Sequence, residues 1–133
     1  MSTITIALMT RMRVRNIERS VAFYQALFGF PMISSDERRA VLRMAGKQTL
    51  FLFKKGAPIH PMVTPGATAP PRRGDGRTHM AFAIDAADLD HWERWLSQHE
   101  VVIESKGYGK KGSQSLYFRD PDDHLLELVP LAV

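Results

Sequence analysis

Residues 7–14 read ALMTRMRV, and on a strand alternate side chains leave on opposite faces. One face carries Leu8, Thr10, Met12 and Val14, the other Ala7, Met9, Arg11 and Arg13. The period then changes. In RNIERSVAFYQALFGF, Ile17, Val21, Tyr24, Leu27 and Phe28 recur at helical spacing, with Asn16 suited to cap the start and Gly29 to end it. Extended segments follow at 31–35, 40–45 and 49–53, the last two joined by a turn at Gly46-Lys47. The second half repeats the order. HMAFAI (79–84) predicts a strand, and residues 85–99 a helix with an apolar stripe of Leu89, Trp92, Trp95 and Leu96. Strands are predicted at 101–105, 115–119 and 125–129, with DPDDH turning between the last two. Met9 to Ile33 and His79 to Ile103 are each 24 positions apart, so the repeat lies in element order and spacing.

Between the halves, KKGAPIHPMVTPGATAPPRRGDGR is rich in Pro and Gly and predicts no regular element. The reading is α+β: two βαβββ modules forming a curved mixed sheet around a cup-shaped cavity. A single domain spans 1–133, with module one at about 4–55, a linker at about 56–77 and module two at about 78–131. Each helix is expected against one face of its strands. Met9, Arg11 and Arg13 are then left beside His79, Ala81 and Ala83 on the concave side.

Composition narrows the chemistry. The chain has no cysteine, which excludes disulfides, thiolate metal sites and a cysteine nucleophile. No apolar run is long enough to span a membrane, and the N-terminus does not read as a signal peptide, so a cytoplasmic location is expected. Net charge is +4, with basic pairs at Arg38-Arg39, Lys54-Lys55, Arg72-Arg73 and Lys110-Lys111. A nucleic-acid reader would carry a continuous basic stripe, so these pairs are read as solvated loop charges. A small anionic ligand stays open.

RVRNIERSVAFYQALFGF, THMAFAIDAADLDHW and SLYFRDPDDHLLELV together resemble the vicinal oxygen chelate superfamily: glyoxalase I, extradiol dioxygenases, and fosfomycin- and bleomycin-resistance proteins. The resemblance covers nearly the whole chain outside the linker. It implies a homodimer with cavities shared between subunits, and one divalent metal held in part by His79 and Glu127. It also shows departures. The first-strand histidine position falls on Met9, whose thioether is a poor ligand for such ions, and the first-module glutamate position falls at about Phe51. Glyoxalase I in its usual form is therefore not expected. Ser115, Tyr117 and Glu127 stand at the spacing fosfomycin-resistance proteins use for substrate hydroxyl contacts and a carboxylate ligand. Arg11, however, replaces a small hydroxyl residue, so that activity is not expected either.

Two function classes follow. In one, a small, anionic molecule binds without metal: Met9 and Phe51 with Phe53 form an apolar wall, and Arg11 and Arg13 hold the anion. Ser115 and Tyr117 add hydroxyl contacts, and Glu127 with His79 could supply acid/base catalysis. In the other, a metal-dependent lyase, dioxygenase or transferase acts on a vicinal-oxygen substrate through His79 and Glu127. Among the other histidines, His60 is a spare third ligand from the linker, and His91 and His99 are structural. His124 is an exposed turn residue on this reading.

Overall fold

In the computed structural model of the protein, which describes residues 9–56, 63–64, 67–68, 78–108 and 114–131, β1 (Met9–Val14) leads into α1 (Ile17–Phe28). The Asn16 side chain accepts the Arg19 N–H at 2.9 Å, and Gly29 closes the helix at φ 71°. β2 (Met32–Ser35), β3 (Arg39–Arg43) and β4 (Thr49–Lys54) follow. The β3–β4 turn runs through Gly46 and Lys47, both at positive φ (68° and 64°), as the sequence predicts. β4 returns parallel to β1 and antiparallel to β3, so the first sheet has the order β1-β4-β3-β2.

The second module repeats this design. β7 (His79–Asp85) ends at Asp85, whose side chain accepts the Ala87 N–H and opens a short 3-10 turn before α2 (Leu89–Gln98). β8 (Ser105–Tyr108), β9 (Gln114–Arg119) and β10 (Leu125–Leu131) complete a sheet of order β7-β10-β9-β8.

Three boundaries differ from expectation. The strand predicted at 101–105 begins at Ser105, because residues 100 and 101 are used to close α2. Inside the linker, β5 (Val63–Thr64) and β6 (Ala67–Thr68) pair antiparallel, so that stretch holds a short ladder after all. Arg39 and Lys54, read as loop charges, lie on β3 and β4.

The core is built from one face of each sheet. Met12, Val14, Leu42, Leu50 and Leu52 join Met80, Leu116, Phe118, Leu126 and Leu128 in a single apolar cluster. α1 packs on β3 and β4 of the first sheet. Its Phe28 also meets the inward rings of Phe82 (4.7 Å) and Phe118 (6.5 Å) on the second. α1 thus touches both sheets, and its aromatic end links the halves.

A polar interlock fixes the same junction. The buried Asp120 accepts the Tyr24 hydroxyl at 2.7 Å and the N–H groups of Asp122 and His124 at 2.9 Å each. Asp122 reaches back to the start of α1, accepting from the Arg15 N–H (2.8 Å) and the Ser20 hydroxyl (3.3 Å). His124 is 2% exposed rather than exposed in a turn. Thr78 N–H donates to its Nδ1 (2.8 Å), which leaves the proton on Nε2 to donate to the Arg13 carbonyl (2.6 Å). One imidazole thereby satisfies two backbone groups from opposite modules. Asp123 takes the left-handed conformation (φ 63°) that its place in the turn requires.

Candidate functional site

The second sheet's outward face is set by its alternation. Leu126 and Leu128 point into the core, so Glu127 between them points out. Register places Tyr117 directly opposite Glu127 across β9–β10, and Ala81 beside it on β7. His79 sits one pleat away along β7, and its Nε2 donates to Glu127 Oε1 at 3.0 Å. The Tyr117 hydroxyl donates to the same carboxylate. That hydrogen bond, then desolvation, then the carboxylate's charge, hold the phenol above its ordinary range. Glu127 is only 14% exposed, whereas the His79 side chain is 52% exposed. An inner carboxylate is therefore presented through an outer imidazole.

Small residues flank this trio. Ser105 pairs with Tyr117, and Gly107 with Ser115. A Cβ at Gly107 would lie 2.8 Å from Tyr117 Cε2, so glycine is needed there for the ring to occupy its place. Ser115 is buried on the same outward face. Glu104, at the rim, is held below the usual carboxylate range chiefly by its hydrogen bond to Arg119 (2.7 Å).

The first sheet's outward face is of opposite character. Arg11 pairs with Phe51 and Arg13 with Phe53 across β1–β4, and the two phenyl rings stack at 5.7 Å. Met9 lies at the edge, 48% exposed, with its sulfur accepting from Arg11 Nε at 3.5 Å. On β3, Arg39 pairs with Phe53 and Arg43 with Thr49. Sequence reading missed Arg39, Arg43 and Gly107 as site residues. The alternation in RAVLR carried the signal for the two arginines.

The structure thus gathers His79, Glu127 and Tyr117 on one sheet and Met9, Arg11, Arg13 and Phe51 on the other. Among the described residues, no hydrogen bond, ion pair or ring contact runs from Met9, Arg11 or Phe51 to the trio. Both faces lie on the side of their sheet away from the core that α1 occupies. A shallow depression at the start of α1, lined by Arg15, Asn16, Asp36 and Lys54 among others, is separate and mixes both charges.

Among the described residues, the donor set falls short of what a resident divalent ion requires. Among the described residues, His, Asp and Glu form no group of three or more suited to a metal. His79 and Glu127 offer two donors, where catalytic zinc sites use three protein ligands. The first sheet adds a thioether, a phenyl ring and a guanidinium, none of which serves such an ion. His60 lies outside the described residues. His99 donates from Nδ1 to the Trp95 carbonyl (2.9 Å) and His91 stacks on Trp95.

Paired βαβββ modules with an acid–imidazole cluster on an outward sheet face define the glyoxalase-type fold class. The family model of the Glyoxalase/Bleomycin resistance protein/Dioxygenase superfamily matches residues 6–128, and the chain belongs to that superfamily. It is similar to the metallothiol transferase FosB of Staphylococcus haemolyticus, 28% identical over 116 residues, covering 86% of this chain and 76% of that one. It is also similar to the catechol-2,3-dioxygenase of Bacillus subtilis, 29% identical over 121 residues, which are 89% of this chain and 39% of that enzyme. Among solved structures, the lactoylglutathione lyase from Agrobacterium tumefaciens superposes with TM-score 0.80 at 23% identity, covering 96% and 94% of the two chains. The FosX protein of Listeria monocytogenes, complexed with Mn(II) and sulfate, superposes at 0.71 with 19% identity, covering 99% and 94%. These structures bear on the fold alone.

Proposed function

We propose that the protein binds a small anionic molecule, without a resident metal, in a cup formed between two copies of the chain. The carrying observation is the first sheet's outward face: guanidinium groups beside aromatic rings, where a cation would need oxygen or nitrogen donors. Arg11 and Arg13 take the anion through charge-assisted, bidentate hydrogen bonds. Met9 and Phe51 supply an adaptable apolar wall. The facing half of the cup is the His79–Glu127–Tyr117 trio with Ser115, contributed by the other copy. Glu127, hydrogen-bonded from two sides, is placed as an acid/base group should a bound molecule present an acidic proton.

The homodimer is part of this reading. Among the described residues of one chain, no hydrogen bond, ion pair or ring contact joins Met9, Arg11 or Phe51 to the His79–Glu127–Tyr117 trio, and a cup that uses both faces is completed when the first sheet of one copy meets the second sheet of another.

The test uses untagged protein. Metal content well below one ion per chain is expected, together with a thermal midpoint that rises with inorganic phosphate, since a ligand that binds only the native state stabilises it. Arg11→Ala is expected to remove that rise. One metal ion per chain, lost in His79→Ala, would overturn the reading in favour of a metal-dependent lyase, dioxygenase or transferase acting through His79 and Glu127.

A further inference from the structure

Exposure divides the methionines into two groups. Met12, Met44 and Met80 are buried in the core, whereas Met9 and Met32 are 48% and 49% exposed. A thioether that meets water is open to oxidants, and one in a packed core is shielded from them. Met9 and Met32 differ in what faces the sulfur. Arg11, two positions along β1 and on the same outward face, donates from Nε to Met9 Sδ at 3.5 Å. Among the described residues, no donor reaches the Met32 sulfur. Met12 also accepts a hydrogen bond, from the Tyr24 hydroxyl (3.7 Å), but it does so inside the core. Among the described methionines, Met9 alone combines exposure with a cationic donor.

Sulfur is a weak acceptor, so this contact holds the guanidinium loosely. Oxidation changes that. A sulfoxide sets a polar oxygen on the same sulfur, in the gap that the Arg11 Nε–H group already faces. At an N–H···O distance of about 2.9 Å this oxygen makes a charge-assisted hydrogen bond, stronger than the one it replaces. The reaction balances with a peroxide as oxidant. The sulfur lone pair forms an S–O bond as the O–O bond breaks, and the departing hydroxide takes the proton of the transferred oxygen. Sulfur loses two electrons, the peroxide gains them, and one water leaves. Enzymatic reduction of the sulfoxide restores the thioether.

We propose that Met9 is a reversible oxidation site, and that its sulfoxide oxygen engages the Arg11 guanidinium and lowers the first sheet's affinity for anions. The new contact follows from the Met9–Arg11 geometry, and its effect on binding rests on the anion-pocket reading above. The sulfoxide oxygen competes with the anion for Arg11 and places partial negative charge beside it.

Hydrogen peroxide treatment of the full chain, followed by peptide mass mapping, NMR and calorimetric titration with inorganic phosphate, tests it. One added oxygen is expected on Met9 and on Met32, and none on Met12, Met44 or Met80. The Arg11 Nε–H signal is expected to shift and to exchange more slowly with water after treatment, but not in Met9→Leu. Phosphate is expected to bind about tenfold more weakly after treatment of the parent or of Met32→Leu. Methionine sulfoxide reductases should restore the parent's affinity. Met9→Leu should bind phosphate equally before and after treatment. An unmodified Met9, or an oxidised Met9 with an unchanged Arg11 signal, would overturn the inference. So would phosphate binding that is unaltered by Met9 oxidation, and in that case the anion pocket stands. Should phosphate bind neither form while the Arg11 signal still shifts, the pocket reading falls with the effect on binding, and the oxidation-dependent contact stands.

Discussion

Tyr24 shows how one hydroxyl ties the two halves of the chain. It is fully buried and donates to Asp120, 96 residues away. Burial, followed by the Asp120 charge and hydrogen bond, pushes its phenol well above the ordinary tyrosine value. A group whose folded pKa is raised stabilises the native state below its unfolded pKa, and that stability is lost as pH rises through the folded value. Tyr24 therefore keeps its full contribution below about pH 10 and loses it progressively as the pH rises above that. Tyr24→Phe is expected to cost about 1.5–3 kcal/mol in urea denaturation at neutral pH, the range for a hydrogen bond to a charged group. The same variant should lose part of the parent's alkaline destabilisation. Residues such as Asn16 and Gly29 were legible in sequence because each answers to backbone conformation within a few positions. His124 was not. Its partners, Thr78 and Arg13, lie 46 and 111 residues away, and nothing local separates a histidine that stitches modules from one on a turn.

At the level of elements, the end of α2 explains why the next strand starts late. Val101 N–H bonds the Leu96 carbonyl (2.9 Å) and Glu100 N–H the Ser97 carbonyl (3.0 Å), with Glu100 at φ 59°. This is a Schellman closure with glutamate in the left-handed position where glycine is favoured. Val101 and Leu96 pack in the core beneath it. Val101, the first residue of the predicted strand, is thus spent on ending a helix, and the register with β9 runs from Ser105. Glu100→Gly removes the strain of a side chain at positive φ and is expected to raise stability by roughly 0.5–1 kcal/mol. Thermal and urea unfolding of the variant check this, and a loss of stability would contradict it. The strand alternation itself was legible. It assigned Met12 and Val14 inward and Arg11 and Arg13 outward from eight letters of sequence. Which sheet face would meet which lies beyond any such pattern, because it depends on where α1 packs.

For the molecule as a whole, the two sheets present outward faces of opposite charge character. One sheet offers guanidinium groups over phenyl rings, and the other a carboxylate screened by an imidazole and a phenol. α1 and the Asp120–His124 interlock tie the two sheets to a common core, and the proposed cup brings the two outward faces together across two copies of the chain. No helix among the described residues is long and apolar enough to cross a membrane. The absence of cysteine gives a direct way to test the assembly. In the double variant Met9→Cys/His79→Cys, a short thiol–thiol cross-linker joins the two outward faces wherever they meet. Mass analysis under denaturing conditions is expected to show a covalent dimer, twice the 15.0 kDa chain. A monomer cross-linked within itself, or no cross-link at all, would contradict the shared cup.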